Sequence, residues 1–106
     1  MVRDVEFVKA AASLVLMDDE SLAMAAFTCR MGHEAAMKTK SAKNKAIAIE
    51  MIAMLGEAIK EMARRMARDN NGMVSTMDGQ PDMNLEDSIA KVDRDTDADI
   101  AELEAA

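Results

Sequence analysis

Aromatic residues are almost missing from this 106-residue chain, which has two phenylalanines and neither tryptophan nor tyrosine. Two aromatic rings are too few for a stacking platform for single-stranded nucleic acid, and the alternating pattern of a strand-rich fold is absent too. The single cysteine excludes an internal disulfide and is typical of a reducing compartment. No run of apolar residues approaches the roughly 20 that a membrane-spanning helix needs. The sequence therefore predicts an all-α, cytoplasmic protein that does not associate with membranes.

Basic residues are also scarce, because 13 lysines and arginines face 20 aspartates and glutamates, for a net charge of −7. This balance argues against direct binding to nucleic acid, since phosphates are bound by positive side chains. The imbalance is local, because residues 71–106 contain ten acidic and only two basic side chains. We expect a helical body over 1–70, a linker over 71–84 and an acidic C-terminal helix or tail over 85–106.

The clearest pattern in the chain is helical and extends from Ser41 to Asn70. Apolar residues recur there at alternating steps of four and three and form two neighbouring stripes. The first stripe consists of Ala48, Ile52, Leu55, Ile59, Met62 and Met66, and the second of Ile47, Met51, Met54 and Ala58. Ser41 is a suitable N-cap, Glu61 can pair with Arg65, and Asn71-Gly72 can end the helix in the left-handed conformation.

This predicted helix is long for the chain that contains it. At 1.5 Å per residue it measures roughly 40–45 Å, whereas a compact chain of this size is about 33 Å across. Two apolar stripes also need more cover than one neighbouring helix provides. We therefore expect an elongated bundle and a homodimer. The residues expected to mediate this self-association are Met51, Leu55, Ile59, Met62 and Met66.

Two shorter helices are predicted before this one. The first covers 4–16, and its apolar stripe consists of Val5, Val8, Ala12 and Val15, widened by Leu16. The second covers 19–38, with Leu22, Ala26, Cys29, His33 and Ala36 on one line and Met24, Phe27, Met31 and Ala35 on another. A turn at 38–41 would fold it back on the third helix as an antiparallel hairpin. The alternative is one helix over 20–70, because no residue in the turn forbids helix.

A weaker helix is predicted at the C-terminal end. Asn84 is a suitable N-cap, and Leu85, Ile89 and Val92 lie on one side of the helix that follows. Aspartate is a poor helix former, so the pattern predicts an interruption over 93–99, with Thr96 capping a restart. The predicted fold is thus a small antiparallel bundle of three main helices plus this weaker one.

The acidic tail also has the spacing of a calcium loop. The candidate ligands are Asp93, Asp95, Asp97 and Glu104, with the backbone carbonyl of Asp99 between them. Their spacing matches an EF-hand loop, in which carboxylate oxygens surround a hard divalent cation. Ala98, however, stands where that loop needs glycine for its sharp turn. We therefore favour a solvated acidic tail over a calcium site.

A second candidate metal site lies in the second predicted helix. Cys29, His33 and Met37 recur every four residues on one helix face, and thiolate, imidazole and thioether form a soft ligand set suited to Cu(I). Packing of this face against the core is the alternative that we favour, because methionine is frequent in the chain, with 12 copies. No metal or cofactor is therefore predicted.

Catalysis has little support, because His33 is the only histidine and no second group is placed to orient it. We expect a non-enzymatic protein–protein interaction module, a small acidic regulator or adaptor that binds a larger, basic protein. The acidic residues expected to bind that partner are Asp93, Asp95, Asp97, Asp99, Glu102 and Glu104. One alternative is an acidic inhibitor that presents carboxylates in place of phosphates to a nucleic-acid-binding protein. The other is a weak calcium or Cu(I) binder.

Overall fold

The computed structural model describes residues 3–39, 41–75 and 81–105, which form four helices and one small sheet of two strands. In chain order the elements are α1 (Val5–Leu14), α2 (Asp19–Met37), α3 (Ala42–Asp69), β1 (Met73–Val74), β2 (Met83–Asn84) and α4 (Leu85–Ala105). The prediction of an all-α helical bundle is confirmed.

Each helix begins at a side chain that caps its free N–H groups. Asp4, Asp18 and Ser41 accept the backbone N–H of the third residue that follows, at 3.0, 2.8 and 3.1 Å. Asn84 does the same for the N–H of Asp87 at 2.8 Å, as predicted. These caps fix the helix starts because they satisfy donors that have no partner within the helix.

The break between the second and third helices is confirmed. α2 ends at Met37, Ser41 caps α3, and the two helices pack along much of their length. Ala36 packs with Ala48 near the turn, whereas Leu22 packs with Leu55 at the far end, so the helices are antiparallel. The alternative of one helix over 20–70 is wrong.

The end of α3 is also as predicted. Asn71 and Gly72 have φ angles of 54° and 83°, so the chain leaves the helix through two left-handed residues. β1 then returns the chain to α3, because Val74 is buried against Ala63 and Ala67. Met73 pairs with Asn84 in the antiparallel register of the small sheet, which leads directly into α4. Residues 76–80 of the predicted linker lie outside the described residues.

The prediction of an interruption in the C-terminal helix is wrong, because α4 is continuous through 93–99. Thr96, the expected capping residue, is buried in mid-helix together with Ile100 and Leu103. Leu103 packs with Ala48 and Thr96 approaches Gly56, so α4 runs antiparallel to α3. Packing against α3 thus outweighs the low helix propensity of the aspartates, as tertiary contacts commonly do.

The predicted apolar stripe of α1 is on the wrong side of the helix. Its valines are exposed, whereas Phe7 and Leu14 are buried and Ala11 packs against the core. α1 is apolar over most of its circumference, so its sequence pattern does not identify one inward face. The larger ring of Phe7 occupies the core, between Ala53 of α3 and Ile100 of α4.

Helix α3 is the centre of the bundle and contacts every other helix. Its 28 residues correspond to roughly 42 Å, which is close to the longest dimension of a molecule that measures 44 × 28 × 22 Å. Both of its stripes pack against α1, α2 and α4 in three adjoining apolar clusters. The residues of these stripes are buried or half-buried except the exposed Met66, so most of the apolar surface of α3 is covered within one molecule, and the homodimer stays a prediction.

Candidate interaction surface

The largest apolar side chains left in solvent on the first helix form one side of α1 and the turn after it. Val5, Val8 and Val15 are 67%, 58% and 54% exposed, and Leu16 is more exposed still. Their spacing of three and seven residues places the valines on one flank of the helix, beside the buried Phe7 face. We call these three valines and Leu16 the α1 apolar face.

A second exposed apolar stripe lies on α2. Met24, Phe27 and Met31 are 59%, 57% and 49% exposed and are spaced three and four residues apart, so they share one helix face. The buried residues of α2 include Leu22, Ala26, Cys29 and Ala36 and lie on another face of the helix, against α3. We call Met24, Phe27 and Met31 the α2 apolar face. Adaptable methionines around an aromatic ring are typical of binding surfaces.

The residues predicted for self-association on α3 are mostly inside the bundle. Leu55 is buried in the main core cluster, and Met51, Ile59 and Met62 are half-buried against it. Only Met66 is exposed, and its sulfur accepts the backbone N–H of Ser75 at 3.1 Å. Apart from Met66, the large apolar side chains that are exposed among the described residues lie on α1, in the turn after it and on α2, and their exposure was not predicted from the sequence.

One arginine of α3 fixes the turn that joins the two exposed faces. Arg65 donates to the carboxylate of Asp19 at 2.9 Å and to the backbone carbonyls of Leu14, Val15 and Met17. The carbonyls of Leu14 and Val15 are at the C-terminal end of α1, and the carbonyl of Met17 is in the turn before α2. Arg65 therefore caps α1 from another helix and holds α1 and α2 in place on α3.

A buried glutamate of the same helix binds the Arg65 guanidinium. Glu61 is only 3% exposed, and its two carboxylate oxygens accept hydrogen bonds from Arg64 at 3.1 Å and Arg65 at 3.0 Å. Burial alone would raise the pKa of Glu61, but the hydrogen bonds and charges of both arginines outweigh it and lower the pKa. The Glu61–Arg65 pair predicted from the sequence is confirmed.

A second ion cluster attaches α4 to α3. Lys60 lies 2.9 Å from both Glu57 of its own helix and Asp93 of α4. Burial favours a lower pKa for the Lys60 amine, but the hydrogen bonds to Asp93 and Glu57 outweigh that effect and raise the pKa. This lysine thus connects α4 to the C-terminal half of the central helix.

The acidic residues of the predicted tail are presented on a regular helix. Asp93 pairs with Lys60, Asp95 with Lys91 at 3.8 Å, and Asp97 with Arg3 at 3.1 Å. The other three predicted partner-binding acids, Asp99, Glu102 and Glu104, are exposed. In all, α4 contains eight acidic and two basic side chains, a net charge of −6.

The residues of the two predicted metal sites lie in different helices, the calcium candidates in α4 and the Cu(I) candidates in α2. The calcium candidates Asp93, Asp95, Asp97 and Glu104 lie in continuous helix, so an EF-hand loop is not formed. Of the Cu(I) candidates, Cys29 is buried in the core cluster, which raises its thiol pKa, whereas Met37 is exposed and His33 half-buried. Within residues 3–39, 41–75 and 81–105, no three His, Cys, Asp or Glu side chains are grouped to hold a metal ion.

A cleft of about 330 Å³, open to solvent, lies beside the turn between α1 and α2. It is lined by Val15, Met17, Asp19, Glu61, Arg65, Arg68 and Asp69. The guanidinium of Arg65 and the carboxylate of Glu61 already have partners in the bundle. The other two charged residues of the lining, Arg68 and Asp69, are exposed at the end of α3.

Comparison of the chain with protein-family models, curated proteins and solved structures finds no match in any of the three. In the part of the chain that the structure describes, no helix combines the length and the apolar character needed to cross a membrane.

Proposed function

We propose that this protein is a non-enzymatic protein–protein interaction module that binds a larger protein through its α1 and α2 apolar faces. The exposure of these two faces supports the proposal. Contiguous exposed apolar residues are uncommon on a bundle that has no partner, because their transfer out of water is favourable. The hydrogen bonds of Arg65 support the proposal further, since they fix the turn between the two faces to α3.

The bundle itself does not need these faces. Core clusters of α3 with Leu14, Leu22 and Phe7 already bury the inward sides of α1 and α2. The outward valines, methionines and Phe27 add little to folding while they remain in solvent. We therefore interpret them as residues selected for contact with another molecule, and the acidic surface of α4 as a region that favours a basic partner.

A second candidate function, an acidic inhibitor, is favoured by the continuous helical structure of α4. An acidic inhibitor would present carboxylates at fixed positions in place of nucleic-acid phosphates, and α4 holds a net charge of −6 on one rigid helix. Such an inhibitor would act through Asp99, Glu102 and Glu104 rather than through the valines and methionines. Its binding would depend strongly on salt, whereas apolar contacts would not.

The experiment compares three full-length proteins as baits for a partner, at about 50 and 200 mM salt. The first is the natural sequence, the second carries Val5→Gln and Val8→Gln, and the third carries Asp99→Asn, Glu102→Gln and Glu104→Gln. The full chain is required, because removal of α4 would uncover the core surface of α3 that packs with Leu103 and Ile100.

We expect the valine variant to lose the partner at both salt concentrations, while the acidic-surface variant retains it. The inhibitor hypothesis predicts the opposite pattern, with binding lost in the acidic-surface variant and weakened in the natural protein by salt. Equal capture by all three baits would contradict both functions.

A further inference from the structure

Methionines of this bundle lie in two environments that differ in their access to solvent. One group is half-buried against the main core cluster and consists of Met17, Met51, Met54 and Met62. Another group is exposed and consists of Met24, Met31, Met37 and Met66. Thioethers are readily oxidised to sulfoxides, and exposure decides which of them an oxidant reaches. An oxidant in solution therefore reaches the exposed group first.

Of these four exposed methionines, only Met24 and Met31 belong to the α2 apolar face. They lie on either side of Phe27, so any change in their polarity changes the centre of that face. Met37 is the last residue of α2 and lies roughly 110° around the helix from the face. Met66 belongs to α3. Oxidation of Met37 or Met66 would therefore leave the α2 apolar face unchanged, and these two residues serve as controls.

We propose that Met24 and Met31 form a modification site, at which a peroxide converts both thioethers to sulfoxides and makes the α2 apolar face polar. A sulfur lone pair attacks one peroxide oxygen, so an S–O bond forms and the O–O bond breaks. The sulfur gives up two electrons, and the second oxygen takes them and leaves as water with both peroxide protons. A methionine sulfoxide reductase and a dithiol reverse the step, and the dithiol becomes a disulfide. The proposal rests on the proposed function, since this face is one of its two binding faces.

Oxidation at these two positions changes the surface and leaves the bundle in place. A thioether is a weak hydrogen-bond acceptor, whereas the sulfoxide oxygen is strongly polar, so an apolar partner would have to bury two unpaired oxygens beside Phe27. The core contacts of α2 come from another side of the helix, where Leu22 and Ala26 pack against α3. The oxidised protein should therefore keep its helices and lose affinity for apolar surfaces.

The test is treatment of the full-length protein with hydrogen peroxide, followed by three measurements. Peptide mass spectrometry gives the rate of sulfoxide formation at each methionine, circular dichroism gives the helix content, and retention on butyl-agarose gives the apolar character of the surface. Two variants with equal numbers of substitutions are treated in the same way. The face variant, Met24→Leu with Met31→Leu, keeps the face apolar without its sulfurs. The control variant, Met37→Leu with Met66→Leu, leaves those sulfurs in place.

We expect Met24 and Met31 to be oxidised at least about fivefold faster than the methionines half-buried against the core. The natural protein and the control variant should then elute earlier from butyl-agarose with unchanged helix content, whereas the face variant should keep most of its retention. Reductase and dithiol should restore the retention of the natural protein. The proposal is overturned if the half-buried methionines are oxidised as fast, if helix content falls with retention, if retention of the natural protein does not change, or if all three proteins shift equally.

These outcomes separate the modification from the proposed function. Unchanged retention after peroxide, together with loss of the partner in the valine variant, would overturn the modification and leave the interaction function in place. The expected shift in retention, together with equal partner capture by every bait, would contradict the interaction function and leave the modification in place.

Discussion

Helices α3 and α1 both have strong apolar stripes, yet the bundle covers those of α3 and leaves one flank of α1 in solvent. The stripes of α3 are opposed by charged residues, so only one orientation of the helix buries apolar surface. α1 has apolar side chains on most of its circumference, and the core takes only Phe7, Ala11 and Leu14. An apolar stripe therefore identifies a buried face only where the rest of the helix is polar. A surplus beyond that face is a candidate for contact with another molecule.

The largest loss of stability should come from truncating a buried side chain of α2. Leu22 is 1% exposed at the centre of the main cluster, so Leu22→Ala should lower the free energy of unfolding by about 2–5 kcal/mol. Met37→Ala on the exposed side of the same helix should change it by less than about 0.5 kcal/mol. Urea unfolding followed by circular dichroism measures both, and equal losses would contradict the assignment of the two sides.

Removal of the Arg65 clamp should weaken the attachment of the α1–α2 turn to α3. Arg65→Met removes the side-chain donors to the Val15 and Met17 carbonyls and leaves Glu61 with Arg64 alone, so urea titration should show a lower free energy of unfolding. Arg68→Met, one turn nearby and exposed, is the control and should have little effect.

The same variant should change the pH dependence of stability. The folded-state pKa of Glu61 lies below its ordinary value of 4.5, so its contribution is present above that pH and is lost as the pH falls through the folded pKa. The difference in unfolding free energy between the natural protein and Arg65→Met should therefore become smaller below about pH 4.5. A difference that stayed constant down to pH 3 would exclude Glu61 as its source.

Substitution by alanine should change the stability of the protein differently at Gly56 of α3 and at Gly32 of α2. At Gly56 an added Cβ would lie 2.7 Å from the Thr96 hydroxyl of α4, so Gly56→Ala should destabilise by about 1–2 kcal/mol. At Gly32 the Cβ would meet the flexible end of Met51 at 3.1 Å, and the gain in helix propensity should make Gly32→Ala neutral or slightly stabilising. Thr96→Ala should relieve the first substitution, and a double mutant with strictly additive losses would argue against the close approach.

The smallest effect should come from the ion cluster that orients α4. Lys60→Met should cost about 1 kcal/mol or less, because much of the gain from pairing is offset by desolvation. The pKa of Lys60 is raised above 10.5, so its contribution is complete below that pH and is lost as the pH rises through the folded pKa. The stability difference between Lys60→Met and the natural protein should therefore shrink only at strongly alkaline pH.

The helices of this fold were predictable where capping residues and amphipathic spacing agreed, as at Ser41, Asn71 and Gly72. Prediction was wrong where tertiary contacts decide, because the burial of Thr96 and Ile100 holds α4 together through four aspartates. It was wrong on α1 because apolar residues surround the helix. The exposed faces could not be predicted for the same reason. The spacing of Met24, Phe27 and Met31 is visible in the sequence, but their exposure to solvent depends on which side of α2 packs against α3.

Whether the α1 apolar face is free of the core is tested most directly by the free energy of unfolding of Val5→Gln with Val8→Gln, measured by urea titration beside Phe7→Gln. All three positions lie on α1, and glutamine at least matches valine as a helix former. The valine pair should remain within about 0.5 kcal/mol of the natural protein, because both side chains are already in solvent. Phe7→Gln should lose at least about 3 kcal/mol, since Phe7 is 4% exposed. A loss of that size in the valine pair would mean that the α1 apolar face belongs to the core and is not available to a partner.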